Sequence, residues 1–341
     1  MKLLEENSLI KHPLPLKIIG IGRYLPKRVV TNAEIEDMAG LARGTIEKTA
    51  AGVVERRWVT DETASEMGAG AAQEALDDAG LTIQDIDLIL NASGSAEQAI
   101  PDGAPLLQRA LGMADSGLPG FTVHATCLSF LVALNVAANY LFTGMYKNIL
   151  IVTSEIASGG INPKEPESFV LFGDAAAAVV VTRPPEGDPS AMTHYLLRTW
   201  GSGAYYTCIM GGGTRHHPNH PDTTREHNYF HMDGWPVYQL ARKKGPETLE
   251  MMRPGILTDH DDIKVTVPHQ ASMLAIKTMV RLGLPEERIA VTIDRVGNCI
   301  AASIPVTLYE VIREKRVERG DNILLFGTGA GLSIGSSILR Y

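Results

Sequence analysis

The chain has 341 residues, of which 45% are hydrophobic and 21% charged, and its formal net charge at pH 7 is −8. This composition is typical of a globular protein with a substantial core, and the length suggests two domains or one large duplicated domain. The negative charge argues against general nucleic-acid binding.

The cysteines and the first residues bear on the compartment. There are three cysteines, Cys127, Cys208 and Cys299, and their odd number and wide spacing do not indicate a disulfide framework. The opening MKLLEENSLIKHP contains acidic residues and no sustained apolar stretch, so it does not resemble a signal peptide. No apolar run is expected to be long enough to span a membrane. We therefore expect a cytoplasmic protein with no membrane partner.

Strands and helices alternate along the first half of the chain. Strands are predicted over 16–22, 86–93, 148–155 and 172–183. Helices are predicted from a cap at Thr31 or Asn32, over 63–80, over 104–113, and from Cys127 to about Thr143. Alternation of this kind, with apolar strands, is typical of parallel-rich sheets covered by helices on both faces.

The last hundred residues repeat this order of elements. Strands are predicted over 263–270, 289–293 and 322–329, and helices over 273–284 and 302–320. Cys127 lies 22 residues before Ile149, and Ala301 lies 22 residues before Ile323. The matched spacing indicates a duplication. We predict an α/β fold of two pseudo-symmetric halves, residues 1–183 and 236–341, with mixed, mostly parallel sheets.

Residues 184–235, between these halves, have a different character. They are rich in Pro, Gly, His and Asp and have no clear periodicity, so we expect an irregular insertion that shapes a substrate entrance. Five histidines fall within it: His216, His217, His220, His227 and His231. Clustered histidines can bind metal, but Pro218 and Pro221 break any helix that would fix the ligand spacing. A solvated loop is favoured over a metal site, and no metal is predicted.

Cys127 lies at a predicted strand-to-helix turn. The free N–H groups at a helix start stabilise a thiolate, which predicts a lowered pKa, and they can also bind an oxyanion. A buried structural cysteine is the commoner outcome for a cysteine in an apolar run. Position alone therefore leaves both roles open.

His269 and Asn298 hold comparable places in the second half. His269 follows a predicted strand, where open α/β sheets place their sites, although a loop histidine with a local hydrogen bond fits equally. Asn298 precedes a predicted helix and also fits an ordinary N-cap. Taken together, these positions place a thiol, an imidazole and a carboxamide at corresponding ends of the two halves.

The sequence resembles the thiolase-like condensing enzymes, and most closely the β-ketoacyl-acyl-carrier-protein synthase III family. The segments GVVERRWV (52–59), FGDAAAA (172–178), PHQAS (268–272), GNCIAASIP (297–305) and FGTGAG (326–331) fall in that family's order and approximate spacing. The likeness covers nearly the whole chain and implies a layered α-β-α-β-α thiolase-like core. The glycines of FGTGAG could suggest dinucleotide binding, but the chain ends at Tyr341 with no room for the βαβ unit that this would need.

The resemblance implies a catalytic triad of Cys127, His269 and Asn298. Cys127 would form an acyl-enzyme from an acyl thioester, with acyl-CoA as the expected donor. A malonyl thioester, expected on acyl carrier protein, would then lose CO2 and condense with the acyl group. The backbone N–H groups of Cys127 and Thr328 would form the oxyanion hole. No cofactor is implied, since CoA and acyl carrier protein thioesters are the substrates.

The resemblance also implies substrate contacts and a homodimer. Arg56 and Arg57 are expected at the CoA or pantetheine phosphate, although pairing with nearby acidic residues is an alternative for both. Ile100 is expected in the partner subunit's acyl pocket, and Lys277 and Arg281 on the face that docks the acidic carrier protein. An ordinary solvated face fits the last two equally well. Bacterial members often stack a Trp on the CoA adenine where this chain has Ile46, and place an Arg where it has Ala50, so the donor stays open.

Three functions remain open on the sequence. The first is a synthase III-type condensing enzyme in fatty acid or specialised biosynthesis. The second transfers the acyl group to another acceptor without decarboxylation. The third is a catalytically silent partner in a heterodimer, against which the intact triad speaks. A variant related to olefin-pathway enzymes would need a Glu near Ile100, but Glu97 stands three positions away.

Overall fold

The computed structural model describes residue 10 and residues 12–341. The strands, numbered in chain order, are β1 Leu14–Pro15, β2 Lys17–Tyr24, β3 Arg28–Thr31, β4 Glu55–Trp58, β5 Leu88–Asn91, β6 Gly120–Thr122, β7 Asn148–Glu155, β8 Ala175–Thr182, β9 Ala191–Thr199, β10 Thr207–Cys208, β11 His231–Met232, β12 Ile263–Pro268, β13 Asn322–Gly329 and β14 Ser333–Arg340.

The helices are, in the same way, α1 Asn32–Ala39, α2 Ala64–Ala79, α3 Gly103–Ala110, α4 Ser129–Thr143, α5 Pro166–Phe169, α6 Gly234–Met252, α7 Met273–Arg281, α8 Ile293–Val296 and α9 Ser303–Arg313. Short 3₁₀ turns at Thr126–Leu128 and Ile300–Ala302 lead directly into α4 and α9. The first turn contains Cys127, and the second begins two residues after Asn298.

The predicted helix boundaries follow from local capping chemistry. Thr63 caps α2 through its side chain, which accepts from the Glu66 N–H, while the Glu66 carboxylate accepts from the Thr63 N–H. Gly80 ends the helix in the left-handed conformation, with φ of 66°. The same pair of signals, Thr31 and Gly40, bounds α1. Capping boxes of this kind are legible in sequence, so the prediction for 63–80 is confirmed.

Two five-stranded sheets form the centre of the molecule. The first has the order β2-β8-β7-β5-β6 and the second β1-β9-β14-β13-β12. Three of the eight neighbouring pairs are parallel and five antiparallel, so the sheets are mixed rather than mostly parallel. One cause is the short connection between β13 and β14, since strands joined by a tight turn can only pair antiparallel.

Helices α4 and α9 lie between the two sheets and form a shared layer. Helix α4 packs against β7 of the first sheet and β9 and β14 of the second, while α9 packs against β8 and β12. Helix α2 covers the first sheet from outside, and α6 covers the second. The expected α-β-α-β-α layering is therefore confirmed.

Helix α4 corrects the statement about membrane spans. The stretch Thr126–Thr143 has the length and composition of a membrane-crossing helix, contrary to the expectation that no run would qualify. Phe130, Leu131 and Leu134 of this helix are fully buried between the sheets. The apolar character of α4 is explained by its place in the core, where both faces contact protein.

The duplication extends to the detail of the two turns. Thr126 and Ile300 have the unusual positive φ values of 51° and 48°. In the first turn the Ala125 N–H donates to Ser129 Oγ at 2.9 Å, and in the second the Cys299 N–H donates to Ser303 Oγ at 3.0 Å. The repeat that the 22-residue spacing indicates is thus a repeat of backbone conformation and of its supporting hydrogen bonds.

Several sequence-based predictions need correction. Residues 289–293 form a single bridge between Ile289 and Thr266 and then enter α8, instead of forming a strand. The insertion 184–235 is not irregular throughout, because β9 lies inside it and pairs with β14. Strand β14 itself was not predicted. Strand β1, near the start of the chain, belongs to the sheet of the second half.

Candidate active site

The turn that carries Cys127 is fixed by its own hydrogen bonds. The Ser129 hydroxyl accepts from the Ala125 N–H and donates to the Thr126 carbonyl at 2.7 Å. The left-handed conformation of Thr126, at φ of 51°, turns the chain sharply into α4. This strained turn places the Cys127 side chain, which keeps some exposed surface, at the beginning of the buried helix.

The thiol of Cys127 is not acidified by this position. Desolvation and the nearby Glu155 carboxylate raise the pKa of Cys127 to about 12, and the N–H groups of Cys127 and Ala330 offset this only in part. The expectation of a lowered pKa is therefore wrong. A helix start stabilises an anion by a modest amount, and burial of the sulfur outweighs it.

The oxyanion donors differ from the expected pair. The backbone N–H groups next to the sulfur belong to Cys127 and Ala330. Thr328 lies within the ladder between β13 and β14, opposite Ile334. The second backbone N–H beside the sulfur is thus that of Ala330, in place of the expected Thr328. The sequence indicates the segment around residue 328 but not the residue itself. Which N–H lies beside the sulfur depends on where β13 ends.

His269 is held rigidly at the carboxyl end of β12. The backbone N–H of His269 donates to the Phe326 carbonyl at 2.8 Å, and the His269 side chain is buried. Desolvation lowers the pKa of His269 to about 4, so the imidazole is neutral at pH 7. The next residue, Gln270, accepts from the N–H groups of Thr292 and Ile293 at 3.0 and 3.1 Å and fixes this corner.

The side chain of Asn298 has a defined orientation. Its Oδ1 accepts from the Ile300 N–H at 2.9 Å, and since only the carbonyl end of the amide can accept, the NH2 end is directed elsewhere as a donor. Asn298 is also 6% exposed, so it lies at the inner wall of the site. It is a side-chain donor held by the backbone of the second turn.

Close backbone contacts bring these three side chains into one region. The two turns, 126–128 and 300–302, contact each other directly. A Cβ on Gly327 would lie 2.7 Å from the His269 Cβ and 3.2 Å from Leu128, the residue that follows Cys127. A Cβ on Gly329 would lie 2.6 Å from Thr126 Oγ1. The glycines of FGTGAG therefore allow β13 to pass between the His269 corner and the Cys127 turn.

Glu155 is a buried carboxyl group that sequence reasoning missed. It ends β7 and accepts from the N–H groups of Gly94 and Ser95 at 2.5 and 2.9 Å, and from the Ser95 hydroxyl at 2.5 Å. Desolvation raises the pKa of Glu155 to about 8, although these donors, together with the Ala301 N–H, favour the charged form. A glutamate at the end of an apolar strand is the signal that could have indicated it.

The two predicted arginine contacts fall in different places. Arg56 is fully buried, with Nη1 donating to Asn32 Oδ1 and Nη2 to the Val170 carbonyl, so it cannot reach a CoA phosphate. That prediction is corrected. Arg57, the next residue, points to the other side of β4 and is partly exposed, with a loose 4.0 Å contact to Glu55. Alternation along the strand explains the difference.

The remaining predicted substrate contacts lie on the surface. Ile100 is 86% exposed. Lys277 and Arg281 are exposed on one face of α7, and neither forms an ion pair with any described residue. These three contacts stay predictions. In the loop, the His216 and His227 rings stack with centroids 4.0 Å apart, and no group of three metal-ligating side chains occurs among residues 12–341.

Comparisons with known proteins agree with this arrangement. Residues 121–201 match the family model of 3-oxoacyl-[acyl-carrier-protein] synthase III, and residues 257–341 match the model of its C-terminal part. The β-ketoacyl-[acyl-carrier-protein] synthase III of Aquifex aeolicus is 33% identical over 326 residues, covering 95% of this chain and 99% of that protein. Synthase III 1 of Bacillus cereus is 34% identical over 328 residues, covering 95% and 98%.

Solved structures show the same likeness. The crystal structure of the Aquifex aeolicus 3-oxoacyl-[acyl-carrier-protein] synthase III superposes with a TM-score of 0.85 at 33% identity, covering 96% of this chain and all of that one. The structure of OleA from Xanthomonas campestris superposes with a TM-score of 0.82 at 22% identity, covering 96% and 98%. The second match supports the fold alone.

The raised pKa of Cys127 predicts how its alkylation depends on pH. While the pH stays below the pKa, the thiolate fraction rises about tenfold per pH unit. We expect the iodoacetamide rate at Cys127 to climb from pH 6 to pH 9 without levelling off, as measured by mass spectrometry of the peptide that contains it. N-acetylcysteine serves as the reference thiol. A plateau between pH 7 and 8 at Cys127 would contradict the assignment.

The raised pKa of Glu155 predicts a pH dependence of stability. The folded protein holds this proton up to about pH 8, whereas the unfolded chain releases it near the ordinary value of 4.5. The folded state therefore binds more protons in this window, and stability falls as pH rises from about 4.5 to 8. Glu155→Gln should flatten this slope in thermal unfolding scans, most clearly between about pH 5.5 and 7, where the folded state holds the proton and the unfolded chain does not. Glu226→Gln, at an exposed position, should keep the wild-type slope; an unchanged slope in Glu155→Gln would refute the assignment.

Proposed function

The chain belongs to the β-ketoacyl-[acyl-carrier-protein] synthase III family of thiolase-fold condensing acyltransferases in fatty acid biosynthesis, and from this premise we propose its reaction in detail. Cys127 takes an acyl group from an acyl thioester, with acyl-CoA as the donor. The acyl-enzyme then condenses with a malonyl thioester, carried by acyl carrier protein. The products are a 3-oxoacyl thioester and CO2.

The first stage begins from a neutral thiol and a neutral imidazole. His269 takes the proton of Cys127 as the sulfur attacks the thioester carbonyl, and that proton then passes to the departing thiolate. The tetrahedral oxyanion accepts from the N–H groups of Cys127 and Ala330, which already face the sulfur. The raised pKa of the thiol keeps it protonated until a thioester and the imidazole are both in place.

The second stage develops negative charge on a different oxygen. Loss of CO2 from the malonyl thioester leaves its bonding electrons as an enolate, whose oxygen accepts from neutral His269 and from the Asn298 amide. The enolate carbon attacks the acyl carbonyl, and Cys127 leaves as a thiolate that takes up one proton from solvent. Since His269 is neutral at pH 7, the ring nitrogen that faces the site can accept a proton in the first stage and, in the other tautomer, donate a hydrogen bond in the second.

The orientation of Asn298 is the observation that carries this proposal. Its Oδ1 is occupied by the Ile300 N–H at 2.9 Å, so the amide presents N–H groups to the site. Donors suit an enolate, whereas a carboxylate at this position would repel it. A simple acyl transfer would not require a second neutral donor beside His269.

The choice of thioester donor rests on the surface around the entrance. Ile46, where related enzymes often stack an aromatic ring on adenine, is buried at 1% exposure, and Ala50 carries no charge. Exposed Lys277 and Arg281 of α7 have no described acidic partner and suit an acidic carrier protein. The nucleotide part of CoA therefore finds few contacts on this surface, and we propose that CoA binds mainly through its pantetheine arm. We propose that the reaction needs no cofactor.

We also propose that the protein works as a homodimer in the cytoplasm. Strand β6 is the outer strand of the first sheet, with Gly120 and Phe121 exposed, and an unpaired apolar edge is a template for a second chain. Met145, 64% exposed, lines the same surface depression as Leu118 and Pro119, the residues that precede β6. The exposed Ile100 is then available to a partner's acyl pocket. Three free cysteines suit a reducing compartment.

Substitutions in the triad should separate the two stages. Cys127→Ala should abolish the acyl adduct that intact mass spectrometry detects with a panel of acyl-CoAs. Asn298→Ala should keep acylation and lower malonyl decarboxylation by roughly 10²–10³-fold, as typical for loss of one oxyanion donor. Acylation that persists in Cys127→Ala, or wild-type protein that acylates but releases no CO2, would overturn the proposed reaction.

The proposed dimer has its own test. Phe121→Asp places a charge at the edge of β6 and should convert a dimer to a monomer, as measured by sedimentation velocity. Val54→Asp places the same charge on another exposed apolar residue and should leave the dimer intact. Wild-type protein that sediments as a monomer at micromolar concentration would contradict the proposal.

A further inference from the structure

The backbone of Asn298 is attached to a segment of the other half. Its N–H donates to the Leu171 carbonyl at 2.8 Å, and its carbonyl accepts from the Gly173 N–H at 3.1 Å. These two bonds make a parallel bridge between Asn298 and Phe172. The position of the Asn298 amide in the site therefore depends on where residues 170–173 lie.

Glycines make this attachment unusually close. A Cβ on Gly173 would lie 1.9 Å from the Val296 carbonyl oxygen. Gly297 has φ of 73°, and a Cβ there would lie 2.8 Å from the Leu171 carbonyl oxygen. Because no side chain separates them, the two backbones are in direct contact. A shift of residues 170–173 must therefore displace the backbone around Asn298.

Two side chains of β4 hold the same segment from the opposite side. Arg56 Nη2 donates to the Val170 carbonyl at 2.7 Å, and Trp58 Nε1 donates to the Phe172 carbonyl at 3.1 Å. The carbonyl between them, that of Leu171, is the one that receives the Asn298 N–H. Successive carbonyls thus alternate between β4 and Asn298, as they do along a strand.

The burial of Arg56 is energetically unfavourable. It is fully buried and has no carboxylate within ion-pair distance among the described residues, and desolvation lowers its pKa to about 10. Burial of a charge without an ionic partner opposes folding. Its hydrogen bonds are to Asn32 Oδ1 and the Val170 carbonyl, so fixing this segment is what the guanidinium does in the structure.

We propose that Arg56 and Trp58 are positioning residues for Asn298, and that they act on decarboxylation and condensation but not on acylation. This inference rests on the proposed function. The Cys127 turn has separate supports, since Ser129 holds it through Ala125 and Thr126. The two stages therefore depend on two different sets of backbone anchors, and loss of one set leaves the other in place.

Trp58→Phe is the sharpest substitution, because it keeps a buried aromatic ring and removes the Nε1 donor together with part of the indole volume. We expect the acylation rate of Cys127 to stay within about twofold of wild type, and CO2 release from the malonyl thioester by the acyl-enzyme to fall roughly three- to tenfold, the usual range for one hydrogen bond. Trp200→Phe, whose indole nitrogen makes no described hydrogen bond, is the matched control. It should leave both rates unchanged.

A double-mutant cycle tests whether Trp58 acts through Asn298. Trp58→Phe should cost little in an Asn298→Ala background, because the amide it positions is already absent. Arg56→Lys keeps a cation and one hydrogen-bond donor, so its rate of CO2 release should fall less than that of Arg56→Met. Both variants must first show the wild-type circular dichroism spectrum.

The outcomes separate this inference from the proposed function. Wild-type protein that acylates without releasing CO2 would overturn the function. If the wild type condenses, equal slowing of both stages in Trp58→Phe would overturn the positioning role and leave a structural one. The same conclusion would follow if Trp58→Phe lowered CO2 release by an equal factor with and without the Asn298 amide.

Discussion

The contact between the two left-handed turns is the constraint on which the site depends. Thr126 and Ile300 both adopt positive φ without being glycine, and a Cβ on Gly94 would lie 2.7 Å from Ile300 Cγ2 and 2.8 Å from the Thr126 carbonyl oxygen. The strain in each turn is held by the core helices that follow, α4 and α9, which fill the layer between the sheets. Cys127 from one half and Asn298 from the other are brought into one region because these turns touch.

The electrostatics of the site follow from its burial. Desolvation raises the pKa of Cys127 and Glu155 and lowers that of His269, so each group is driven towards its neutral form. Charge then appears mainly on the reacting oxygens, where backbone N–H groups and the Asn298 amide are already directed. In a poorly hydrated site such fixed dipoles need little reorganisation as the charge develops. Glu155 differs from the other two groups because hydrogen-bond donors surround it and also stabilise its ionised form.

The sequence predicted most of the fold because capping residues and apolar spacing are local. Thr63, Gly80 and the 22-residue repeat specify helix ends and duplication without reference to the rest of the chain. Strand β14 was not predicted although it directly follows its partner β13, because the glycines of FGTGAG obscure this hairpin. Strand β9 was not predicted because its partners, β1 and β14, are distant in sequence and it lies in a stretch dominated by loop residues. Pairing across such separations decides strand identity more than local propensity does.

In the site, the motifs predicted the three residues Cys127, His269 and Asn298. The residues that surround them could be identified only from the three-dimensional structure. Arg56 and Arg57 are adjacent and chemically alike, yet one is buried and the other partly exposed, and the register of β4 alone decides which. Ala330 replaced Thr328 as a donor for a similar reason. The pKa of Cys127 was misjudged because sequence shows the helix start but not how far the sulfur is removed from water. Glu155 was overlooked because its partners, Gly94 and Ser95, lie about sixty residues away.

Strand β1 has a consequence for how the chain assembles as it is made. Leu14 pairs with Met192, and β9 in turn pairs with β14 at the end of the chain. The first described strand therefore leaves the ribosome long before its partner exists, and the sheet that receives it is complete only after β14 has been synthesised. Contacts of such long sequence separation slow folding. A growing chain should thus leave β1 unpaired until β9 has been made, a period in which chaperones have access to it.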